Sequence, residues 1–233
     1  TNFDKITEIG DAAFAECSSL TSVLEFNSAI TTIPSYLFYK CSSIVGPLKI
    51  TSIISSINEY AFYDCSQLTI DSDFDLSNLD CINDYSFYNC KSISGDLILS
   101  DDIIEIGSYA FYNCSKLTGE LIINVSEYNW VQNSVKIGDY AFYGCTGFIG
   151  DFIINSCIGS IGKEAFGLTN FDQIIYNFSY APFCSESIGE NIDIYVLVNY
   201  KPDSFCKNKF IRDLPYIGIY DVEDFIYIDT YGL

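Results

Sequence analysis

The chain of 233 residues carries 31 acidic against 11 basic side chains, a formal charge of −20, and no histidine. Such a charge argues against nucleic acid and anionic lipid as partners, since both need a basic surface; the missing imidazole excludes Ser-His and Cys-His nucleophile pairs and any His-bearing metal site. Apolar residues make up 49% and charged residues 18%, enough to bury a continuous core, yet no stretch approaches the roughly 18 apolar residues of a membrane-spanning helix.

Read from its start, the chain repeats one phrase: IGDAAFAEC, IPSYLFYKC, INEYAFYDC, INDYSFYNC, IGSYAFYNC, IGDYAFYGC and a decayed IGKEAFGLT. The phenylalanines fall at Phe14, Phe38, Phe62, Phe87, Phe111, Phe142 and Phe166, in steps of 24, 24, 25, 24, 31 and 24 residues. A fixed period in this range marks a solenoid, whose coils bury their apolar faces only by stacking. The opening TNFDKITEIG enters a repeat partway through and carries neither initiator Met nor signal peptide, which reads as a fragment or processed form.

Within a coil the phrase lacks period-2 alternation and predicts a short helical turn, as at Tyr109–Tyr112. Cys114 and Leu117 then turn inward, Thr118 and Gly119 make a turn, and a strand follows with Leu121 and Ile123 facing the core. The same inward pair recurs as Leu24 and Phe26, Leu48 and Ile50, Leu97 and Leu99, and Phe152 and Ile154; in the third unit it shifts by two residues to Phe74 and Leu76. A polar stretch returns to an I-x-x-I step, for example Ile30 to Ile33 and Ile103 to Ile106. Each coil is therefore expected to have a strand on one side and a helical turn on the other.

Cys17, Cys41, Cys65, Cys90, Cys114 and Cys145 each lie three residues after a repeat Phe. Stacked roughly 5 Å apart with parallel side chains, they have poor disulfide geometry and read as buried free thiols acting as small hydrophobes. Cys81, Cys157, Cys184 and Cys206 fall off this ladder, and a bond between Cys184 and Cys206 stays open. The fifth interval carries an insertion around Val125–Asn133 with Trp130, the only Trp. Beyond about residue 180 the repeat stops. Ile192–Val198 predicts a last strand, and Pro202–Asp213 a helix with Phe205, Phe210 and Ile211 on one face. The expected organisation is a solenoid of about seven coils over 1–180 and a capping segment over 181–233, which would shield the open end.

The pattern I-G-x-x-A-F-x-x-C-x-x-L followed by an apolar strand resembles the BspA-like, or Treponema pallidum-type, leucine-rich repeats of surface proteins in bacteria and parasitic protozoa. Gly144-Cys-Thr-Gly-Phe-Ile-Gly-Asp-Phe-Ile-Ile is especially similar to the protozoan branch. The resemblance covers about residues 3–180. It departs from the family where Ser100, Asn124 and Asn155 replace the Pro that often ends the strand. It implies a right-handed superhelix with a concave parallel sheet and short helical turns on the convex side. It also implies a cell-surface or secreted location and a role in adhesion or host-protein binding, with extracellular-matrix or plasma proteins as the expected partners. A rigid spacer within a larger surface protein and an intracellular interaction scaffold are the alternatives.

Binding residues are sought on the outward side of the strands. There Ile98, Ile122 and Ile153 form an apolar stripe, flanked by Asp96, Glu120 and Asp151 on one side and by small polar residues such as Asn27, Ser100 and Asn155 on the other. A contiguous apolar patch with a polar rim suits a protein ligand; the plain alternative is that Ile favours strands whichever way it points. The acidic column reads either as a solvated row or as a weak Ca²⁺ site. Asp71-Ser-Asp-Phe-Asp75 starts like a calcium loop but has Leu76 and Ile82 where the loop needs Gly and a closing acid, so no metal or cofactor is expected. Two tyrosine columns flank the repeat Phe, at Tyr36, Tyr60, Tyr85, Tyr109 and Tyr140 and at Tyr39, Tyr63, Tyr88, Tyr112 and Tyr143. They read as shields over the crevices between coils or as a recognition surface. Sequons at Asn113, Asn124 and Asn177 would suit a secreted eukaryotic protein. No phosphate-cradling loop or paired carboxylates point to catalysis, and a non-enzymatic role is expected.

Overall fold

The computed structural model describes residues 6–21, 24–49, 53–70, 76, 78–123, 134–155, 158–176, 183–184, 188–189, 192–197, 210–212 and 225–229. They form a stack of coils, each crossing two columns of strands. The first column follows the predicted strands: β1 (Leu24–Glu25), β3 (Gly46–Lys49), β5 (Leu68–Ile70), β7 (Leu97–Leu99), β9 (Leu121–Ile123), β11 (Ile149–Ile154), β13 (Asn170–Tyr176) and β15 (Asp193–Leu197). It pairs in parallel within three groups, β1–β3–β5, β7–β9 and β11–β13–β15, with Leu24 opposite Leu48, Leu97 opposite Leu121, and Phe152, Ile174 and Ile194 in one row. A period of two then keeps one row of side chains inside: Leu48, Leu97, Leu99, Leu121, Ile123, Phe152 and Ile154 are all buried.

The I-x-x-I step proves to be a strand as well. β2 (Thr32–Ile33), β4 (Ser56–Ile57), β6 (Cys81–Ile82), β8 (Glu105–Ile106), β10 (Val135–Ile137), β12 (Ile158–Ile161) and β14 (Phe183–Cys184) pair in parallel as one seven-stranded sheet. Most contribute two residues, too few for alternation to register in the sequence. Their inward isoleucines, Ile33, Ile57, Ile82, Ile106, Ile137 and Ile161, join the core. The third unit also differs from expectation. Its strand is β5, with Ile70 opposite Leu48. Leu76 is buried and makes a single parallel bridge to Leu99, while Phe74 lies outside the described residues.

The outer wall corrects the expected helical turn: there is no helix among the described residues. In every unit the fourth and eighth residues of the phrase take left-handed backbone angles, with φ of 58° at Tyr36 and Lys40, and 58° and 57° at Tyr109 and Asn113. Between them the chain alternates its hydrogen bonds. Leu37, Tyr39 and Cys41 donate N–H back within the turn, to Pro34, Tyr36 and Phe38, whereas Tyr36, Phe38 and Lys40 donate across to Glu59, Ala61 and Tyr63 of the next coil. Later coils repeat this, so the wall is stitched along its length by backbone bonds without being a sheet. A left-handed L-residue costs about 1–2 kcal/mol; the cross-coil bonds and ring stacks built on this winding offset it.

Behind the wall the repeat phenylalanines stack face to face from Phe14 to Phe166, with ring centroids 5.2–5.6 Å apart. The ladder thiols are free, as expected: Cys41, Cys65, Cys90, Cys114 and Cys145 are buried and Cys17 is exposed. Each buried thiol also donates S–H to the carbonyl of the Phe one coil earlier, from Cys41 to Phe14 at 2.9 Å through Cys145 to Phe111 at 3.0 Å. Burial pushes the Cys41 thiol up to about 11 and the other four upward as well.

The 31-residue interval leaves this stitching intact, since Phe111 N–H still reaches Ala141 O at 2.7 Å. Trp130, Cys157 and Cys206 lie outside the described residues. At the far end β15 pairs antiparallel with β17 (Phe225–Asp229), and β17 with β16 (Phe210–Arg212). Residues 210–212, expected in a helix, are thus a strand; the rest of Pro202–Asp213 lies outside the described residues apart from this segment.

Candidate functional site

The stripe expected at Ile98, Ile122 and Ile153 stands on β7, β9 and β11. Ile98 lies opposite Ile122 in parallel register, and β9 runs beside β11. Ile98 is 53% exposed and Ile153 40%, with Ile122 half-buried between its coil neighbours. The flanking residues on each strand point the other way, into the core, which fixes these isoleucines outward. The register extends the stripe one strand beyond the sequence reading: Ile153 faces Ile175 of β13, itself half-buried. Ile149, at the start of β11, adds a further exposed apolar side chain.

The acidic flank is partly structural. Asp96, Glu120 and Asp151 are all exposed, but Asp96 Oδ1 accepts the backbone N–H of Glu120 at 2.9 Å. This bracket ties two coils together. It also explains Gly119, where a Cβ would run into Asp96 Oδ1 and into the backbone of Gly95. The same device recurs on the wall, where Asp84 accepts from Ser108 N–H and Asp139 from Lys163 N–H. The bracket engages one oxygen of Asp96 and leaves the three flanking side chains exposed.

The expected small polar column is split: Asn155 is exposed, whereas Ser100 and Asn27 are engaged locally. Ser100 is buried and its Oγ accepts the N–H of Asp102 at 2.9 Å, while Asn27 Oδ1 accepts from Ala29. Both close the turn that leaves the strand. Ser and Asn at a strand end favour this local bond two residues ahead, and the alternation of the strand stops one residue before them. Thr51, Ser77 and Asn124 lie outside the described residues, as does the Asp71–Asp75 run.

The wall carries the other conspicuous constellation. Tyr36, Tyr60, Tyr85, Tyr109 and Tyr140 stack at 4.7–5.0 Å, and Tyr39, Tyr63, Tyr88, Tyr112 and Tyr143 at 4.6–5.2 Å. Beside them Asn113 donates to Asn89 and Asn89 to Asp64, a polar ladder that ends where Gly144 leaves no side chain. The Asn113 sequon is therefore engaged within the wall. Among the described residues no group of three or more Cys, Asp and Glu is arranged to hold a metal ion. An open groove of about 310 Å³ lies between Asp84, Glu105, Lys136 and Asp139. Two of its carboxylates are already engaged as brackets. Among the described residues the conspicuous features are surfaces: one apolar stripe with an acidic flank and one aromatic wall.

A family model described as a BspA-type leucine-rich repeat region matches in six copies, over residues 1–118 and 80–192. Among solved structures, the chain is similar to the Treponema pallidum leucine-rich repeat protein, at 25% identity over 60% of each chain with a TM-score of 0.49. It is also similar to a leucine-rich cell surface protein from Faecalibacterium prausnitzii A2-165, at 16% identity over 85% of this chain and 64% of that one, with a TM-score of 0.48. The chain thus spans less than two thirds of the length of these solved relatives. No curated protein matches it.

Proposed function

Because this chain belongs to the BspA-type leucine-rich repeat family, we propose that it is a non-enzymatic protein-binding module displayed at a cell surface or secreted. It engages its ligand through the outward face of β7, β9 and β11. The observation that carries this reading is the row of outward isoleucines, Ile98, Ile122 and Ile153, on adjacent strands with charged residues at their flank. Apolar centres with polar rims are where binding energy concentrates in protein interfaces. The surface location is part of this proposal and is what membership of the family implies. The ligand class that fits an acidic, adhesive face is a host extracellular-matrix or plasma protein with a basic surface, steered by the −20 charge. The antiparallel β17 and β16 support reading 181–233 as the segment that caps the stack.

The test is binding of the intact chain to a panel of purified matrix and plasma proteins. It is repeated with Ile98→Asp and Ile153→Asp together. Loss of about tenfold or more in affinity, with an unchanged circular dichroism spectrum, supports the strand face. Undiminished binding by the double variant removes that face from the reading. Failure of the unaltered chain to bind any member of the panel removes the partner class and leaves a spacer.

A further inference from the structure

We infer that the tyrosine wall is a second interaction surface, which takes an arginine-rich basic peptide segment independently of the strand face.

Stacking accounts for the rings but not for their hydroxyls. The repeat Phe, two residues after the first column and one before the second, shows that a plain phenyl ring also stacks along this solenoid. Yet both wall columns are phenols throughout the central coils, and none of the hydroxyls of Tyr60, Tyr63, Tyr85, Tyr88, Tyr109 and Tyr112 makes a hydrogen bond to another described residue. Ring stacking at 4.6–5.1 Å covers the faces of Tyr63, Tyr85 and Tyr88 and leaves their edges and oxygens as the contact surface.

Charge selects the kind of partner. Glu59 and Asp84 lie beside Tyr60, Asp64 beside Tyr63 and Tyr88, and Asp139 beside Tyr109, with Lys163 the one cation acting on that last ring. Phenol and carboxylate oxygens together form an acceptor-rich surface, which suits guanidinium groups with their fork of donors better than the point charge of an ammonium. The wall already takes one cation of its own. Ala15 stands where the next ring of the second column would be, and the face of Tyr39 thus left open is covered by Lys40 Nζ, 5.0 Å from the ring centroid. Binding here orders little, because the stacked rings are already fixed by their neighbours.

The experiment measures fluorescence anisotropy of a short Arg-Gly repeat peptide against the intact chain, with Lys-Gly and Glu-Gly peptides of equal length as comparators. The expected order is Arg over Lys, with no binding of Glu. Substituting Tyr60→Phe, Tyr85→Phe and Tyr109→Phe together keeps rings and charge and should weaken the Arg peptide about tenfold or more. Ile98→Ser and Asp151→Asn, on the strand face, should leave it unchanged. The inference is overturned if the triple variant binds as the unaltered chain does, if the Arg peptide does not bind, or if Asp151→Asn weakens it as much as the wall changes do. That last outcome would mean diffuse attraction to net charge. None of these outcomes bears on the strand-face reading, which the matrix and plasma panel tests separately.

Discussion

The wall and the strand face are two sides of the same coils, but their residues answer to different neighbours. On the wall, Phe87 is sandwiched between Phe62 and Phe111, Cys114 donates to the carbonyl of Phe87, and Tyr85 stacks on Tyr60 and Tyr109. A change at any of these is felt by the coils above and below. On the strand face, Ile98 and Ile153 stand outward from backbone whose pairing needs nothing from their side chains. Near-uniformity of the phrase IGxYAFYxC thus reflects mutual constraint between coils. Variation among Asp96-Leu-Ile-Leu, Glu120-Leu-Ile-Ile and Asp151-Phe-Ile-Ile marks residues left free to meet something else.

The widest gap between the two sides should appear in stability. Phe87→Ala empties a fully buried site and is expected to cost about 3–5 kcal/mol, whereas Ile98→Asp should stay within about 0.5 kcal/mol; urea unfolding of both variants measures the difference. Equal losses would break the comparison. Alkaline pH probes the wall's interior next. Above about 9, the ordinary value for Cys41, the unfolded chain begins to release thiol protons that the folded chain retains up to about 11. The unfolded state then binds fewer protons, so stability falls as pH rises through this window. The remaining buried thiols, and Tyr63, pushed up to about 12, act in the same direction. The melting temperature should drop on going from pH about 8 to about 10, and a Cys90→Ala, Cys114→Ala variant should flatten that drop. The smallest effect is a gain. Ser86 stands where other units have Ala61, Ala110 and Ala141, is fully buried, and its hydroxyl has no hydrogen-bond partner. Ser86→Ala should stabilise by about 1 kcal/mol, read as a rise in the unfolding midpoint.

Much of this was written plainly in the sequence. The Phe ladder, the thiol ladder and the inward pairs needed only a period and an alternation, because each repeats six or seven times. The second sheet was hidden because strands such as Thr32–Ile33 offer one inward residue each. The winding of the wall was hidden for a different reason. Tyr is a poor candidate for a left-handed backbone, so five tyrosines at φ of 56–58° run against residue preference and are explained only by the stack they complete. On the strand face the isoleucines were legible from alternation. The use of Asp96 as a bracket was not, since it depends on a backbone N–H 24 residues away that only stacking brings near.

Between each pair of coils the bonding runs both ways: the amide of Phe111 reaches forward to Ala141, and the thiol of Cys145 reaches back to the carbonyl of Phe111. Nothing in this reciprocal grip measures how much chain was spent in travelling round the coil. It closes across the 31-residue step as it does across the 24-residue ones. The connection between β9 and β10 is therefore a natural grafting point, where foreign loops could be spliced in or exchanged while the rungs on either side keep their grip.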